Sequence, residues 1–148
     1  MTAEEFKKLV EKANARSRAT NRHIEHDMQV ACVNWFKEHF TAYEQFFWST
    51  PNGGYRSAKT AREMKAEGQK AGVPDLQLAY PCNGYHGLFI EMKKSIMGKR
   101  GKLIGKGVCS DAQYKVINDL RKVGYRVEVC YSFDQFKEIV TNYLTIKV

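Results

Sequence analysis

Three charged residues in the middle of the sequence are of the types that act on phosphate groups. Asp75 ends the run Gly-Val-Pro-Asp, while Glu91 and Lys93 belong to the run Ile-Glu-Met-Lys. Two carboxylates held side by side repel each other, and a bound divalent cation such as Mg²⁺ turns that repulsion into attraction. An ammonium group beside them adds a fixed positive charge. These residues therefore predict a metal-dependent site for phosphate chemistry, provided that the fold brings them together.

Two short apolar runs, 76–80 and 86–90, flank a turn-forming sequence and predict the β-hairpin that would position these residues. If the runs pair from the turn outward, Asp75 falls directly opposite Glu91, with Cβ atoms about 5 Å apart. Strand alternation then puts Lys93 on the same face as Glu91. The alternative is a turn at the Pro-Asp dipeptide followed by a solvated strand face, which would carry no chemistry.

The composition of the chain indicates a globular protein with an anionic partner. It has 148 residues, 43% of them hydrophobic, which predicts one domain with a buried core. Its formal net charge is +8, and residues 93–106 contain six Lys/Arg and no Asp/Glu. Such a field favours polyanions, of which nucleic acid is the usual one, although a basic surface that only keeps the protein soluble is the alternative.

The N-terminus and the cysteines indicate a cytoplasmic protein. No apolar run reaches the ~20 residues that cross a bilayer, and the first residues lack the apolar core of a signal peptide, so we expect no membrane segment. The four cysteines have no Cys-x-x-Cys spacing, and the four histidines supply only a loose pair at His23 and His26. We therefore expect reduced thiols and no zinc site.

Helices and strands are predicted to alternate along the chain. The order of elements predicts an α/β fold with a mixed central sheet that is covered by helices on both faces. The predicted elements are helices at 2–18 and, capped by Asn21, at 22–40, a strand at 46–49, a helix at 59–69, the hairpin, a glycine-rich loop over 98–107, a helix from Ser110 that Gly124 ends, a strand at 125–131 and a helix at 133–144.

Several short motifs occur in a fixed order around the hairpin. They are Pro51-Asn52-Gly53-Gly54, Lys65-Ala66-Glu67-Gly68, Gly72-Val73-Pro74-Asp75, Leu88-Phe89-Ile90-Glu91-Met92-Lys93, Gln113 and Gly124-Tyr125. Through these motifs, over about residues 23–144, the chain resembles the VRR-NUC branch of the PD-(D/E)XK nuclease superfamily. That branch includes stand-alone phage and bacterial nucleases and the Fanconi-associated nuclease.

The resemblance implies a restriction-endonuclease-like core with extra N-terminal helices. It implies a single nuclease domain over residues 1–148, of which 1–20 are a helical extension. It further implies an endonuclease that uses Mg²⁺ or Mn²⁺ to hydrolyse phosphodiester bonds of branched DNA, such as four-way (Holliday) junctions in DNA repair. The stand-alone members it resembles are homodimers found in bacterial cells and their phages.

The metal site is assigned by the same resemblance. It implies that Asp75 and Glu91 hold the metal, with the backbone carbonyl of Met92 and the carboxylate of Glu25 as further ligands. Glu25 matches the family's Glu-x-x-x-Gln pattern together with Gln29. The alternative for Glu25 is an ordinary solvated glutamate on the flank of a helix.

Two further catalytic roles follow from the resemblance. Lys93 would position or polarise the attacking water, and the residues leave open whether it acts as a base or as electrostatic aid. Gln113 would lie at the edge of the site. It also fits the N3 position of a capping box that begins at Ser110, so a purely structural role is the alternative.

Basic and glycine residues on either side of the hairpin are candidates for contacts with the DNA backbone. Phosphate contacts carry no base-sequence information, so we expect selectivity for DNA shape. The candidates are Asn52, Gly53, Arg56, Lys59, Arg62, Lys94, Lys99, Arg100, Lys102 and Lys106.

Three other functions compete with this interpretation. A DNA-binding module of the same fold without catalysis would not need opposed carboxylates. A restriction-type endonuclease would have to read a short site, and a dimer of this size could still do so. A nucleotide-using enzyme is disfavoured because no Gly-x-x-x-x-Gly-Lys-Ser/Thr motif occurs in the glycine-rich segment 98–107.

Overall fold

The chain alternates helices and strands, in the predicted order apart from a single N-terminal helix in place of two and a ribbon in place of a loop. The computed structural model describes residues 2–51, 57–97, 100 and 102–145, less the side chains of 17–22, 96, 97 and 104. Its elements are α1 (Ala3–His39), a 3₁₀ helix (Thr41–Phe46), β1 (Phe47–Ser49), α2 (Ala58–Ala66), β2 (Leu76–Leu78), β3 (Leu88–Met92), β4 (Ser95–Met97), β5 (Leu103–Lys106), α3 (Asp111–Lys122), β6 (Arg126–Cys130) and α4 (Phe133–Leu144).

A four-stranded sheet in the order β1-β2-β3-β6 forms the centre of the fold. Strand β2 is antiparallel to both β1 and β3, whereas β3 and β6 are parallel. The sheet is therefore mixed, as predicted. In the β2–β3 hairpin Leu76 pairs with Ile90 and Leu78 with Leu88, which is the predicted register although Tyr80 and His86 lie outside the strands.

The tight turn that joins β2 to β3 is offset by one residue from the strand pairing, because the Cys82–Tyr85 pair would extrapolate to Leu76 opposite Glu91 and not opposite Ile90. Asn83 and Gly84 both have positive φ, 50° and 83°, and Cys82 and Tyr85 on either side exchange two backbone hydrogen bonds. Two successive residues with positive φ are typical of a type I′ hairpin turn, and Asn-Gly is the dipeptide that adopts it most readily. The sequence at 81–85 is therefore a turn, as predicted.

Helices cover both faces of the sheet. On one face the core contains Leu88, Ile90 and Met92 of β3 together with buried side chains of α1 and α4. On the other face a smaller cluster contains Phe89 of β3 and Ile117 of α3. Since residues of β3 alternate between these two cores, the side chain of Glu91 points to the smaller one.

The two predicted N-terminal helices are one continuous helix, which corrects the prediction of a cap at Asn21. Helix α1 begins at a capping box in which Thr2 and Glu5 satisfy each other's backbone N–H groups, and it continues to His39. The segment between the two predicted helices contains neither Gly nor Pro, so nothing in it ends a helix. Among the described residues no helix is both long and apolar enough to cross a membrane.

The predicted glycine-rich loop is in part a two-stranded antiparallel ribbon, which is a second correction. Strands β4 and β5 pair Ser95 with Lys106 and Ile96 with Gly105. The glycines suggested irregular backbone, but Gly105 lies inside a strand. The ribbon leaves the sheet directly after Lys93 and Lys94, and Gly107 N–H donates to the Lys94 carbonyl (2.9 Å), so both of its ends meet beside the predicted site.

Candidate active site

The hairpin brings the two predicted carboxylates together. Continuing the register of β2 and β3 by one residue places Asp75 opposite Glu91. Asp75 Oδ2 accepts a hydrogen bond from the backbone N–H of Met92 at 2.8 Å, so the Asp75 side chain lies across the end of β3. Glu91 is only 2% exposed. The predicted opposition of the two carboxylates is therefore present in the fold.

The two oxygens of Glu91 have different surroundings. Oε1 accepts a hydrogen bond from Gln113 Nε2 at 2.7 Å and lies 3.7 Å from Lys93 Nζ. Oε2 has no hydrogen-bond partner, and within the described part of the chain it is the one buried side-chain nitrogen or oxygen in that condition. A buried carboxylate oxygen without a donor is costly, and a cation held between Asp75 and Glu91 would satisfy it. The residues present therefore fit a divalent metal.

The electrostatics of the pair also favour a cation. Burial, followed by the negative charge of Asp75, raises the pKa of Glu91. Burial likewise raises the pKa of Asp75, although the hydrogen bond from Met92 N–H opposes that shift. Both shifts mean that the site resists holding two negative charges at once. A bound divalent cation removes that penalty.

Lys93 lies where strand alternation predicted. Its backbone N–H donates to the Cys130 carbonyl at 2.8 Å, which ties the end of β3 to β6. Its side chain is only 14% exposed, and the ammonium group points to Glu91. The Glu91–Lys93 contact thus places a largely buried positive charge at the edge of the carboxylate pair.

Gln113 contacts the helix cap and the carboxylate pair at the same time, so the two positions that the sequence left open are compatible. Its Oε1 accepts from Ser110 N–H (2.8 Å) while Ser110 Oγ accepts from Gln113 N–H (3.2 Å), which is the capping box of α3. The other end of the same amide, Nε2, donates to Glu91. The N-terminus of α3 is therefore connected directly to the buried carboxylate.

Two neighbours of the site were not predicted. Gly72, with φ of +85°, packs so closely on α3 that a Cβ atom would lie 2.6 Å from the backbone of Ala112. The glycine three residues before Asp75 was a signal of such a close approach. Cys109 is buried next to the site, and burial raises the pKa of its thiol while Lys93 opposes the shift. An isolated cysteine gave no signal in the sequence.

Glu25 lies on α1, half-buried, on the side that faces the site. Its charge contributes to the raised pKa values of both Asp75 and Glu91. Among the described residues, however, no three His, Cys, Asp or Glu side chains form a group that could hold a metal. Glu25 therefore acts on the carboxylate pair through its charge in this conformation. Gln29, one turn later on α1, is also half-buried.

The predicted DNA contacts are distributed over two exposed elements. Lys59 and Arg62 lie exposed on α2, where Lys59 is 4.0 Å from Glu63. Lys94 is half-buried at the base of the ribbon. The exposed basic residues in the ribbon segment are Arg100, Lys102 and Lys106, and the ammonium group of Lys106 lies 4.9 Å from the ring centre of Tyr131. The remaining candidates, Asn52, Gly53, Arg56 and Lys99, lie outside the described residues.

Comparisons with known proteins agree with this geometry. The family model of the VRR-NUC domain matches residues 10–134. A solved structure of a VRR_NUC domain protein is 28% identical in sequence and superimposes with a TM-score of 0.65, covering 81% of this chain and 87% of that chain. Among curated proteins no match is found.

Proposed function

The chain belongs to the VRR-NUC family, whose domain is a PD-(D/E)XK-type nuclease, and we propose that it is a metal-dependent endonuclease that cuts branched DNA such as four-way junctions. The observation that carries the proposal is the state of Glu91. It is buried and opposite a second carboxylate, and its Oε2 has no hydrogen-bond partner among the described residues. That arrangement is unfavourable for folding and favourable for holding Mg²⁺ or Mn²⁺.

Asp75, Glu91 and the backbone carbonyl of Met92 would hold the cation. When bound, a divalent cation neutralises phosphate charge and lowers the pKa of a water molecule. Gln113 holds the Glu91 carboxylate in place by donating to Oε1, which leaves Oε2 available as a ligand. Glu25 adds to the negative potential that attracts it.

The remaining steps of hydrolysis fall to Lys93 and the substrate water. The water oxygen bonds to phosphorus and gives up a proton to solvent as the bond from phosphorus to a sugar oxygen breaks, and that leaving oxygen takes up a proton from solvent. Negative charge builds up on the phosphate in the transition state. The ammonium group of Lys93, held 3.7 Å from Glu91 Oε1, stabilises that charge and orients the water.

Selectivity for branched DNA is supported by the placement of the exposed basic residues. Lys59 and Arg62 on α2 and Lys102 and Lys106 on the ribbon contact solvent, and the ribbon starts and ends beside the carboxylate pair. Contacts of this kind hold the phosphate backbone and do not read bases. Such a surface is therefore suited to recognise the shape of branched DNA and not a particular base sequence.

We include a homodimer in the proposal, and helix α1 supports it. Every described side chain from residue 3 to residue 16 is exposed. Phe6 and Leu9 are 59% and 56% exposed and lie with Val10 along one side of the helix. Most helical stability in proteins comes from packing of an apolar face, and these residues of α1 pack on no other part of the described chain. This exposed apolar stripe therefore supports pairing with a partner.

The charges on the same segment support a second copy of the chain as that partner. Glu5 lies in the first turn of α1, on the same flank of the helix as Lys12 and Arg16, which follow about two to three turns later. Antiparallel pairing of two identical helices places the acidic end of each beside the basic part of the other. Such a contact is isologous, which is the usual symmetry of homodimers.

A cleavage assay tests the proposed activity. Labelled four-way junction, flap and linear duplex DNA are incubated with Mg²⁺, Mn²⁺ or EDTA and the wild-type protein, Lys93→Ala or Asp75→Asn. Lys115→Ala and Asp119→Asn are matched controls, because these two residues form an exposed ion pair on α3. We expect metal-dependent cleavage of the junction by the wild type and both controls, and none by the site variants. Tight binding without cleavage in either metal would instead indicate a DNA-binding module.

A further inference from the structure

Tyr114 is an exposed aromatic residue in the first turns of α3, directly after Gln113. Its side chain is 48% exposed, whereas Gln113 turns inward and donates to the buried Glu91. Single exposed apolar side chains are common on protein surfaces, so the surroundings of Tyr114 decide whether it has a function. They contain a buried cysteine, a second tyrosine and a lysine of the ribbon.

The cap of α3 places Tyr114 next to Cys109. Ser110 is the N-cap residue, so Cys109 immediately precedes the cap and Tyr114 is the fourth residue of the helix. Side chains at these two positions often pack against each other, as in a hydrophobic staple. Cys109 is buried, burial raises the pKa of its thiol, and the charge of Lys93 opposes that shift. Tyr114 therefore lies beside the residues that form the proposed site.

A second tyrosine and a lysine lie on the same side of the site. Tyr131 directly follows β6, and its carbonyl accepts from Ser95 Oγ at 2.9 Å, where the ribbon begins. The ammonium group of Lys106 lies 4.9 Å from the centre of the Tyr131 ring, a contact that holds the cation over an aromatic face. Burial raises the pKa of Tyr131, and the charges of Cys109 and Tyr114 add to that shift. The two tyrosines are therefore within electrostatic reach of each other.

An exposed aromatic ring with a cation nearby matches the chemistry of one unpaired nucleotide. Every base has a π-face that can stack on an aromatic side chain, and the phosphate of the same nucleotide is an anion. The charge of the surroundings is complementary, since residues 93–106 carry six Lys/Arg and no Asp/Glu. These charges favour a nucleotide of DNA over an apolar protein surface as the occupant.

We propose that Tyr114 is a substrate-binding residue that stacks on an unpaired base beside the cut, while Lys106, held over Tyr131, binds the phosphate of that nucleotide. The inference rests on the proposed function and specifies its substrate as DNA in which a base next to the scissile phosphate is free to leave the stack. Branch points and flaps offer such a base. A continuous duplex offers one only after unstacking, which costs free energy.

Variants of Tyr114 combined with changes in the DNA test the inference. Tyr114→Leu removes the aromatic ring but keeps an apolar side chain that suits a helix, and Tyr114→Phe keeps the ring without the hydroxyl group. Tyr85→Leu is the matched control, because Tyr85 is 41% exposed in the turn before β3, whereas Glu91 lies near the end of that strand. Thermal unfolding establishes that all three variants are folded.

The DNA is a four-way junction that carries an abasic nucleotide at each position around the cut in turn. Cleavage is followed in Mg²⁺ with the protein in excess over DNA but below saturation, so that the rate reports binding and positioning together. Dissociation constants for the same DNA molecules are measured by fluorescence anisotropy in EDTA, which provides a readout that does not depend on the metal ion.

We expect one abasic position to slow wild-type cleavage about tenfold, which is the usual size of one base–aromatic contact. Tyr114→Leu should cleave intact DNA more slowly by the same factor and should be insensitive to the abasic nucleotide at that position, because the contact is already lost. Tyr114→Phe and Tyr85→Leu should behave like the wild type. The dissociation constants in EDTA should follow the same pattern.

Two results would overturn the inference while leaving the nuclease proposal intact, since the wild type still cleaves in both. One is a Tyr114→Leu protein that cleaves intact DNA at the wild-type rate. The other is an abasic nucleotide that slows Tyr114→Leu as much as it slows the wild type at every position, which would show that the ring and the base act independently. A wild-type protein that cuts no DNA in Mg²⁺ or Mn²⁺ would overturn the proposed function and the inference together.

Discussion

Among single residues, Glu91 destabilises the metal-free protein when its buried carboxylate is ionised, and the proposed metal ion would offset that cost. Its folded pKa is raised above the ordinary value of 4.5, first by burial and then by Asp75. Between the two pKa values the folded state binds more protons than the unfolded state, so the free energy of unfolding falls as pH rises through this window. The contribution of Glu91 to stability is full below pH 4.5 and is lost as pH rises through its folded pKa.

We therefore predict that Glu91→Gln stabilises the metal-free protein at pH 8 by about 1–3 kcal/mol while abolishing cleavage. An amide needs no proton to remain neutral, and its oxygen can still accept the hydrogen bond from Gln113. Thermal unfolding in EDTA between pH 5 and pH 8 measures the effect. Mg²⁺ should stabilise the wild type at pH 8 but not the variant.

The matched control for this prediction is Glu138→Gln, which makes the same change on the exposed face of α4. It should alter neither the slope of stability against pH in this range nor the response to Mg²⁺. A Glu91→Gln protein that is less stable than the wild type at pH 8 in EDTA would show that the buried carboxylate is well solvated or well paired, and the argument for a cation at Oε2 would fail.

At the scale of elements, the capping box of α3 couples helix stability to the site. Ser110→Ala removes a cap and should cost about 1 kcal/mol of stability, yet the bond from Gln113 to Glu91 remains, so the cleavage rate should stay near that of the wild type. Gln113→Ala removes part of the cap and also the donor to Glu91. It should lower the rate about tenfold or more. Thermal unfolding and single-turnover cleavage of junction DNA measure the two quantities.

The comparison between these variants separates capping from positioning. Gln113→Glu supplies a further test, because glutamate also suits the N3 position of a capping box but places a negative charge against Glu91. It should keep most of the stability and lose the activity. Equal rates for Ser110→Ala and Gln113→Ala would mean that Gln113 acts only as a cap.

The elements that the sequence predicted are those specified by local patterns. The β2–β3 hairpin was predicted from two apolar runs that flank a turn-forming sequence, and α3 from a capping box at Ser110 and a glycine at 124. The ribbon β4–β5 was not predicted, because its strands are short and Gly105 lies inside one of them. The break in α1 was predicted wrongly, since Asn21 can cap a helix but does not stop one that continues through it.

The same distinction holds for the site. Opposition of Asp75 and Glu91, and the position of Lys93, depend only on hairpin register and strand alternation, so the sequence was sufficient to predict them. The close contact of Gly72 with α3 and the burial of Cys109 beside the carboxylates depend on how α3 packs on the segment before β2. That packing joins residues distant in sequence, and no periodic pattern encodes it.

At the scale of the whole molecule, a basic protein surrounds an acidic site. The formal net charge of +8 attracts DNA, whereas Asp75 and Glu91 repel the phosphate that has to be cut. On the proposed function, the cation reconciles the two, since it is attracted by the carboxylates and presents positive charge to the phosphate. On the same proposal, the exposed basic residues of the ribbon and of α2 would hold the DNA strands.

The proposed dimer provides the last prediction, because α1 carries an exposed apolar stripe at Phe6, Leu9 and Val10. The double substitution Phe6→Ser/Leu9→Ser should raise the dimer dissociation constant at least about a hundredfold, since each copy loses two apolar side chains worth about 1.5–3 kcal/mol each when buried. Sedimentation at micromolar concentration, with and without junction DNA, measures the state. Lys8→Ser, on the opposite side of the same helix, should remain dimeric. A wild-type protein that sediments as a monomer both free and on DNA would contradict the pairing of α1 with a second copy.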